Sequence, residues 1–249
     1  MRLLALTCEV LARAVYLAAA RSPHVVDVRL NRRGLHDEPP SLRTVLQGEI
    51  DAAGPAYDAV LLAYGLCGGA AAGLRAASIP LVVPRAHDCI TLFLGSRARY
   101  TTEFGEHPGT FWYVQDYVER TDDGSPFAGV GAVSDAEARA THAEYVAKYG
   151  EDNAAYLMEV LGAWRSHYDR AAFVETGIAD PAAAAVVEAR ARADADRRGW
   201  AFEKLAGELV LVRRLADGDW GPDDFLVVHP GERLAMSYDE GVVRAEPAG

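Results

Sequence analysis

Three cysteines are all that the 249-residue chain carries, and each follows a short apolar run. Cys8 comes after Leu3-Leu4-Ala5-Leu6, Cys67 after Ala59-Val60-Leu61-Leu62-Ala63, and Cys89 after Pro80-Leu81-Val82-Val83-Pro84. Thiolates are soft donors for zinc and iron–sulfur centres and, alone, nucleophiles. No pair has the close CxxC spacing of a zinc ribbon, so the pattern points to ligands brought together by the fold. Three cysteines without a fourth suit zinc completed by His or water, or an iron–sulfur cluster with one iron open to substrate.

The residues beside these thiols add acid–base and anion-binding chemistry. In Pro84-Arg85-Ala86-His87-Asp88-Cys89-Ile90-Thr91, a guanidinium, an imidazole, a carboxylate and a thiol crowd one loop. His87 is a candidate ligand, proton carrier or base for a nucleophilic thiol. Arg85 is a candidate for orienting an anion, or a surface ion-pair partner. Asp88 is a candidate site residue or simply a helix N-cap. Glu9, next to Cys8, is a second candidate proton carrier. Gly65 and Gly68 flank Cys67 and would let backbone approach a bound group closely. His229, before Pro230-Gly231, faces the same crevice only if one sheet holds both halves of the chain. The glycine-rich runs match neither a P-loop nor a dinucleotide fingerprint, so nucleotide binding has no support.

These groups meet only if the apolar runs are parallel strands. In an open α/β sheet the ligand crevice lies beyond the carboxyl ends of the strands. The pattern predicts strands over 3–6, 24–30, 59–64, 79–83, 110–114, 172–174, 201–205 and 224–228. Helices are predicted over 10–20, 42–53 with Ser41 as N-cap, 90–99, 135–149, 151–167, 181–198 and 208–215. The stretch 122–134 reads as a loop or hinge, and the tail after Tyr238 as loosely held. The expected class is α/β, a mostly parallel Rossmann-like sheet flanked by helices, with room for two weakly related α/β halves. Three consecutive parts follow: 1–121 carrying the cysteines, 122–171 as a helical insertion or linker, and 172–249 as a second α/β half, packed as one compact unit.

Composition narrows the function classes. Half of the residues are hydrophobic and 24% charged, as in ordinary globular proteins. A formal net charge of −11 opposes nucleic acid or an anionic membrane as main partner. No segment approaches the ~20 apolar residues of a membrane helix, and the first residues lack the shape of a secretory signal. The expected setting is cytoplasmic, where cysteines serve as thiols or ligands.

Tyr64-Gly65-Leu66-Cys67-Gly68, the run from Pro84 to Ser96, and Lys148-Tyr149-Gly150-Glu151-Asp152-Asn153-Ala154 resemble the family known as DUF1638. The resemblance extends from Cys8 to about Gly231. It implies a prokaryotic family without an assigned activity, often encoded near corrinoid and methyl-transfer genes, and hence a partner in methyl or corrinoid metabolism. It also implies that Cys8, Cys67, His87, Asp88 and Cys89 fall in the family's characteristic segments.

The leading expectation is a metal-dependent enzyme, a lyase or transferase. Cys8, Cys67 and Cys89 would hold an open-iron [4Fe–4S] cluster that acts on a small sulfur- or oxygen-bearing molecule. The alternatives are a zinc-thiolate (Zn2+) methyl or alkyl transferase, a carrier that handles a metal or corrinoid, and a metal-free cysteine nucleophile paired with His87.

Overall fold

The computed structural model describes residues 1–33, 35, 39–66, 69–120, 146, 150–151, 168–237 and 241–248. The chain forms two compact units, Met1–Tyr100 with Gly207–Gly249, and Thr101–Ala206. This division differs from three consecutive parts because the C-terminal segment returns to the first sheet.

In the first unit, β1 (Arg2–Cys8), β2 (Val25–Asn31), β3 (Ala59–Ala63) and β4 (Leu81–Pro84) run parallel, and β8 (Phe225–Val228) closes one edge antiparallel to β4. The order is β2-β1-β3-β4-β8. The apolar runs explain the interior strands, since every residue of β3 and β4 is buried, as in a sheet covered on both faces. β2, at the other edge, keeps only Asn31 fully buried. Helix α1 (Ala12–Arg21) packs against α7 (Val210–Asp217) through Ala14, Val15 and Ala18, which recur at helical spacing. The crossover through α2 (Pro39–Ala53) runs the opposite way, from β2 over β1 to β3, and covers the other face. Leu42, Leu46 and Ile50 form its buried stripe.

Three expectations are corrected in this unit. Helix α2 begins at Pro39, so Ser41 lies inside the first turn and is not the N-cap; proline's fixed φ and missing N–H suit that position. The tail is held: β9 (Glu232–Met236) and β10 (Val243–Pro247) form an antiparallel hairpin. The predicted helix over 90–99 is also split. Helix α3 (Cys89–Leu94) ends at Gly95 in the left-handed region (φ 71°), and α4 (Arg97–Glu106) follows. A Cβ on Gly95 would collide with the backbone of Glu208.

The second unit holds a separate parallel sheet in the order β5-β6-β7, made of β5 (Thr110–Val114), β6 (Arg170–Glu175) and β7 (Ala201–Ala206). Helix α5 (Gln115–Glu119) leaves β5, and α6 (Pro181–Arg198) crosses from β6 to β7. Asp180 caps α6 by accepting from the Ala182 N–H at 2.8 Å, and Gly199 ends it in the left-handed region. Phe111, Tyr113, Phe173, Val187 and Ala191 form the core. The loop expected over 122–134 and the helices expected over 135–149 and 151–167 lie largely outside the described residues. Among the described residues no helix is long and apolar enough to cross a membrane.

Candidate functional site

The strand order of the first unit reverses between β1 and β3. From β1 the chain moves outward to β2, then crosses back to β3 on the other side of β1. The reversal makes the carboxyl ends of β1 and β3 the topological switch point, the place where open α/β sheets carry their ligand crevice. Cys8 is the last residue of β1 and is 6% exposed. The Thr7 hydroxyl beside it reaches the Ala63 carbonyl at 3.3 Å, which ties the end of β1 to the end of β3.

The exits from β3 and β4 are laced together. The Leu66 N–H donates to the Ala86 carbonyl at 2.8 Å. A Cβ on Gly65 would lie 2.6 Å from the carbonyl carbon of Asp88 and closer still to its Cα. Only glycine lets the two backbones approach this far. That is a packing reason for Gly65, independent of any bound group. Cys67 and Gly68 come next in the chain and lie outside the described residues.

Cys89 occupies the first position of α3 and is 8% exposed. Asp88 is the N-cap: its Oδ1 accepts from the Ile90 and Thr91 N–H groups at 3.0 and 3.3 Å. The Tyr100 hydroxyl donates to the other carboxylate oxygen at 2.8 Å. Burial pushes the Asp88 carboxyl above its usual range, opposed by the Tyr100 hydrogen bond and the two backbone N–H groups. Burial and the facing carboxylate push the Tyr100 phenol up as well. His87 is exposed and its ring stacks near Tyr100 with centroids 6.0 Å apart. The two groups thus differ in access: His87 meets solvent, and Asp88 holds an interior carboxyl.

Arg85 and Glu9 are built into the framework. Arg85 Nε donates to the Pro222 carbonyl at 2.8 Å, and its Nη1 to the Gly241 and Val243 carbonyls at 2.9 and 2.6 Å. The guanidinium therefore anchors the hairpin segment, and binding an anion would compete with these bonds. Glu9 Oε1 accepts from the Arg33 N–H at 2.7 Å and so pins the exit of β2 to that of β1. His229 is placed away from this crevice. Val228 pairs with Leu81 at the start of β4, so antiparallel β8 delivers His229 to the opposite end of the sheet.

Tyr100 and Asn31 belong to the site's framework and carried no signal in the sequence. Asn31, at the end of β2 and 7% exposed, donates to Glu49 of α2 at 3.1 Å. Tyr100 meets Asp88 only because Gly95 turns the chain between α3 and α4. Among the described residues, which do not include Cys67, no three His, Cys, Asp or Glu side chains gather as a metal-ligand set.

The family model for DUF1638, a protein family of unknown function, matches residues 31–216, and the chain belongs to that family. Cys67, His87, Asp88 and Cys89 lie within the matched segment. Cys8 and Glu9 precede it, so the match is shorter at both ends than the expected span from Cys8 to Gly231. Neither the curated proteins nor the solved structures yield a match.

Proposed function

We propose that the crevice of the first unit is the metal-thiolate centre of an enzyme, with Cys8, Cys67 and Cys89 as ligands and a [4Fe–4S] cluster as the group they hold. The observation that carries this reading is the burial of Cys8 at the end of β1 and of Cys89 at the start of the helix after β4, the two strands on either side of the one whose exit leads to Cys67. The donor set fits the group, because such clusters are held by cysteine thiolates and three ligands leave one iron without a protein donor. When bound, the cluster would supply a Lewis-acidic iron to a small sulfur- or oxygen-bearing molecule.

The chain's own residues would then divide the remaining work. Asp88, whose carboxyl burial raises above its usual range, would carry a proton one residue from Cys89. His87 exchanges protons with solvent from the exposed side. Glu9 and Arg85 position the loops through the backbone bonds described above. A reducing cytoplasmic setting suits a site built on thiols.

The test is metal, iron and sulfide analysis of the full chain purified without oxygen, with its visible spectrum. Brown protein with iron and acid-labile sulfide in the ratio of a four-iron cluster supports the proposal. Colourless protein with one zinc per chain overturns the cluster and favours methyl or alkyl transfer to a zinc-activated thiolate. Metal-free protein with a reactive Cys67 thiol overturns both.

A further inference from the structure

A cleft of about 550 Å³ in the first unit is lined by Arg43, Arg75 and Arg233, with Gln47 and Asp51 from α2. We infer that this cleft binds a phosphate group through the three guanidiniums. It goes beyond the thiol crevice and does not depend on the cluster.

The backbone brings two of the arginines together. Arg75 and Arg233 face one another in an isolated antiparallel bridge. The Leu234 N–H donates to the Leu74 carbonyl at 2.7 Å and the Ala76 N–H to the Glu232 carbonyl at 3.1 Å. Arg75 and Arg233 are therefore the non-hydrogen-bonded pair, whose Cα atoms stand about 4.5 Å apart and whose side chains are closest. Like charges directly opposite destabilise a ladder. Here the repulsion is retained in a protein whose net charge is −11.

The arginine backbone is held in place while the charge is left available. Arg75 N–H donates to Gln47 Oε1 at 2.8 Å, and Gln47 Nε2 donates to the Arg75 carbonyl at 3.1 Å. The same amide nitrogen reaches Asp51 at 2.8 Å, so the one carboxylate lining the cleft is partly engaged. The Arg75 guanidinium makes no hydrogen bond or ion pair among the described residues. Arg233 has a single 3.2 Å contact to Glu246, whose carboxylate is held more tightly by Arg244 at 2.7 and 3.0 Å. Among the described residues Arg43 donates one bond, to the Gly69 carbonyl at 3.2 Å, and its buried Nε has no partner. Gly73 (φ 91°) lies under that side chain; a Cβ there would meet Arg43 Nε at 3.6 Å.

Three planar forks on one cleft exceed what a monocarboxylate needs, since one fork already binds it bidentately. A phosphate dianion offers the extra charge and oxygens on several sides. The anion would also screen the Arg75–Arg233 repulsion.

The test is calorimetric titration of the full chain with inorganic phosphate at low ionic strength, with acetate as the comparison anion. Saturable phosphate binding is expected, weakened at least tenfold in Arg75→Ala and in Arg233→Ala, weakened less in Arg75→Lys, and unchanged in Arg29→Ala. Arg29 is exposed on β2, outside the cleft, and removes the same charge. Both cleft arginines are exposed, so their variants should fold, with thermal melting as the check. Absence of saturable binding, equal affinity for acetate, or an equal loss in Arg29→Ala would overturn the inference.

Discussion

Both units contain a parallel sheet, yet only the first places buried cysteines beyond its strand ends, Cys8 and Cys89 among the described residues. The first sheet reverses its order between β1 and β3, and Cys8, the Tyr64–Leu66 exit and the Asp88–Cys89 cap lie at that end. The second sheet runs β5-β6-β7 without reversal. Among the described residues this order gives no switch point. Its buried polar groups are spent on stability. Arg170, 3% exposed, donates to Thr110 at 2.8 Å, Glu203 at 2.6 Å and Glu103 at 2.8 Å, and stands over the Trp112 ring. Tyr113 donates to buried Asp194 at 2.7 Å, and burial pushes its phenol up to about 12. The two sheets thus differ in strand order and in the residues that follow their strands, not in being parallel.

This contrast can be broken by substitutions in either unit. The largest stability effect belongs to the second. Arg170→Ala leaves Glu103 and Thr110 without their partner and should cost about 3 kcal/mol in urea unfolding. Metal content per folded chain should be unchanged. A loss below about 1 kcal/mol would mean that this cluster is better solvated than its burial suggests.

In the first unit, Gly65→Ala forces the two strand exits apart. It should cost about 2 kcal/mol and, unlike Arg170→Ala, lower metal content in the folded fraction. Equal metal content would separate the lacing of the loops from the site. Asp88→Ala removes an N-cap and should cost about 1 kcal/mol in the same assay.

The smallest effect is a pH dependence. Burial raises the Asp88 carboxyl above its ordinary value of 3.8, so the fold favours the protonated form. Its contribution is therefore whole below pH 3.8 and is lost as pH rises through the higher native value. The stability of the wild type relative to Asp88→Asn should fall over that interval and then level off. A difference that rises with pH would reverse the assigned direction.

Much of the first sheet was legible because its strands are buried on both faces. Ala59–Ala63 and Leu81–Pro84 show this as unbroken apolar runs, and the cysteines follow directly. Helix 181–198 was legible from Pro181 at its start and Gly199 past its end. Failures came where distant residues decide the outcome. Gly95 is tolerable within a helix by local pattern, but the Glu208 backbone occupies the space a side chain there would need. The role of Arg85 stayed open between anion orientation and a surface ion pair, because its carbonyl partners at Pro222, Gly241 and Val243 lie far along the chain. Strand β10 lies in the stretch after Tyr238 that reads as a loose tail, and β9, Glu232–Met236, shows no clean alternation of polar and apolar residues. The Arg75–Arg233 pair was invisible for the same reason, since a cross-strand bridge leaves no local pattern.

The central claim is that Cys8, Cys67 and Cys89 serve one metal centre, and serine substitution of each, purified without oxygen and assayed for iron, sulfide and zinc, tests it most directly. The account predicts that all three folded variants lose the metal that the wild type retains. A folded Cys67→Ser protein with the wild-type metal content would contradict it.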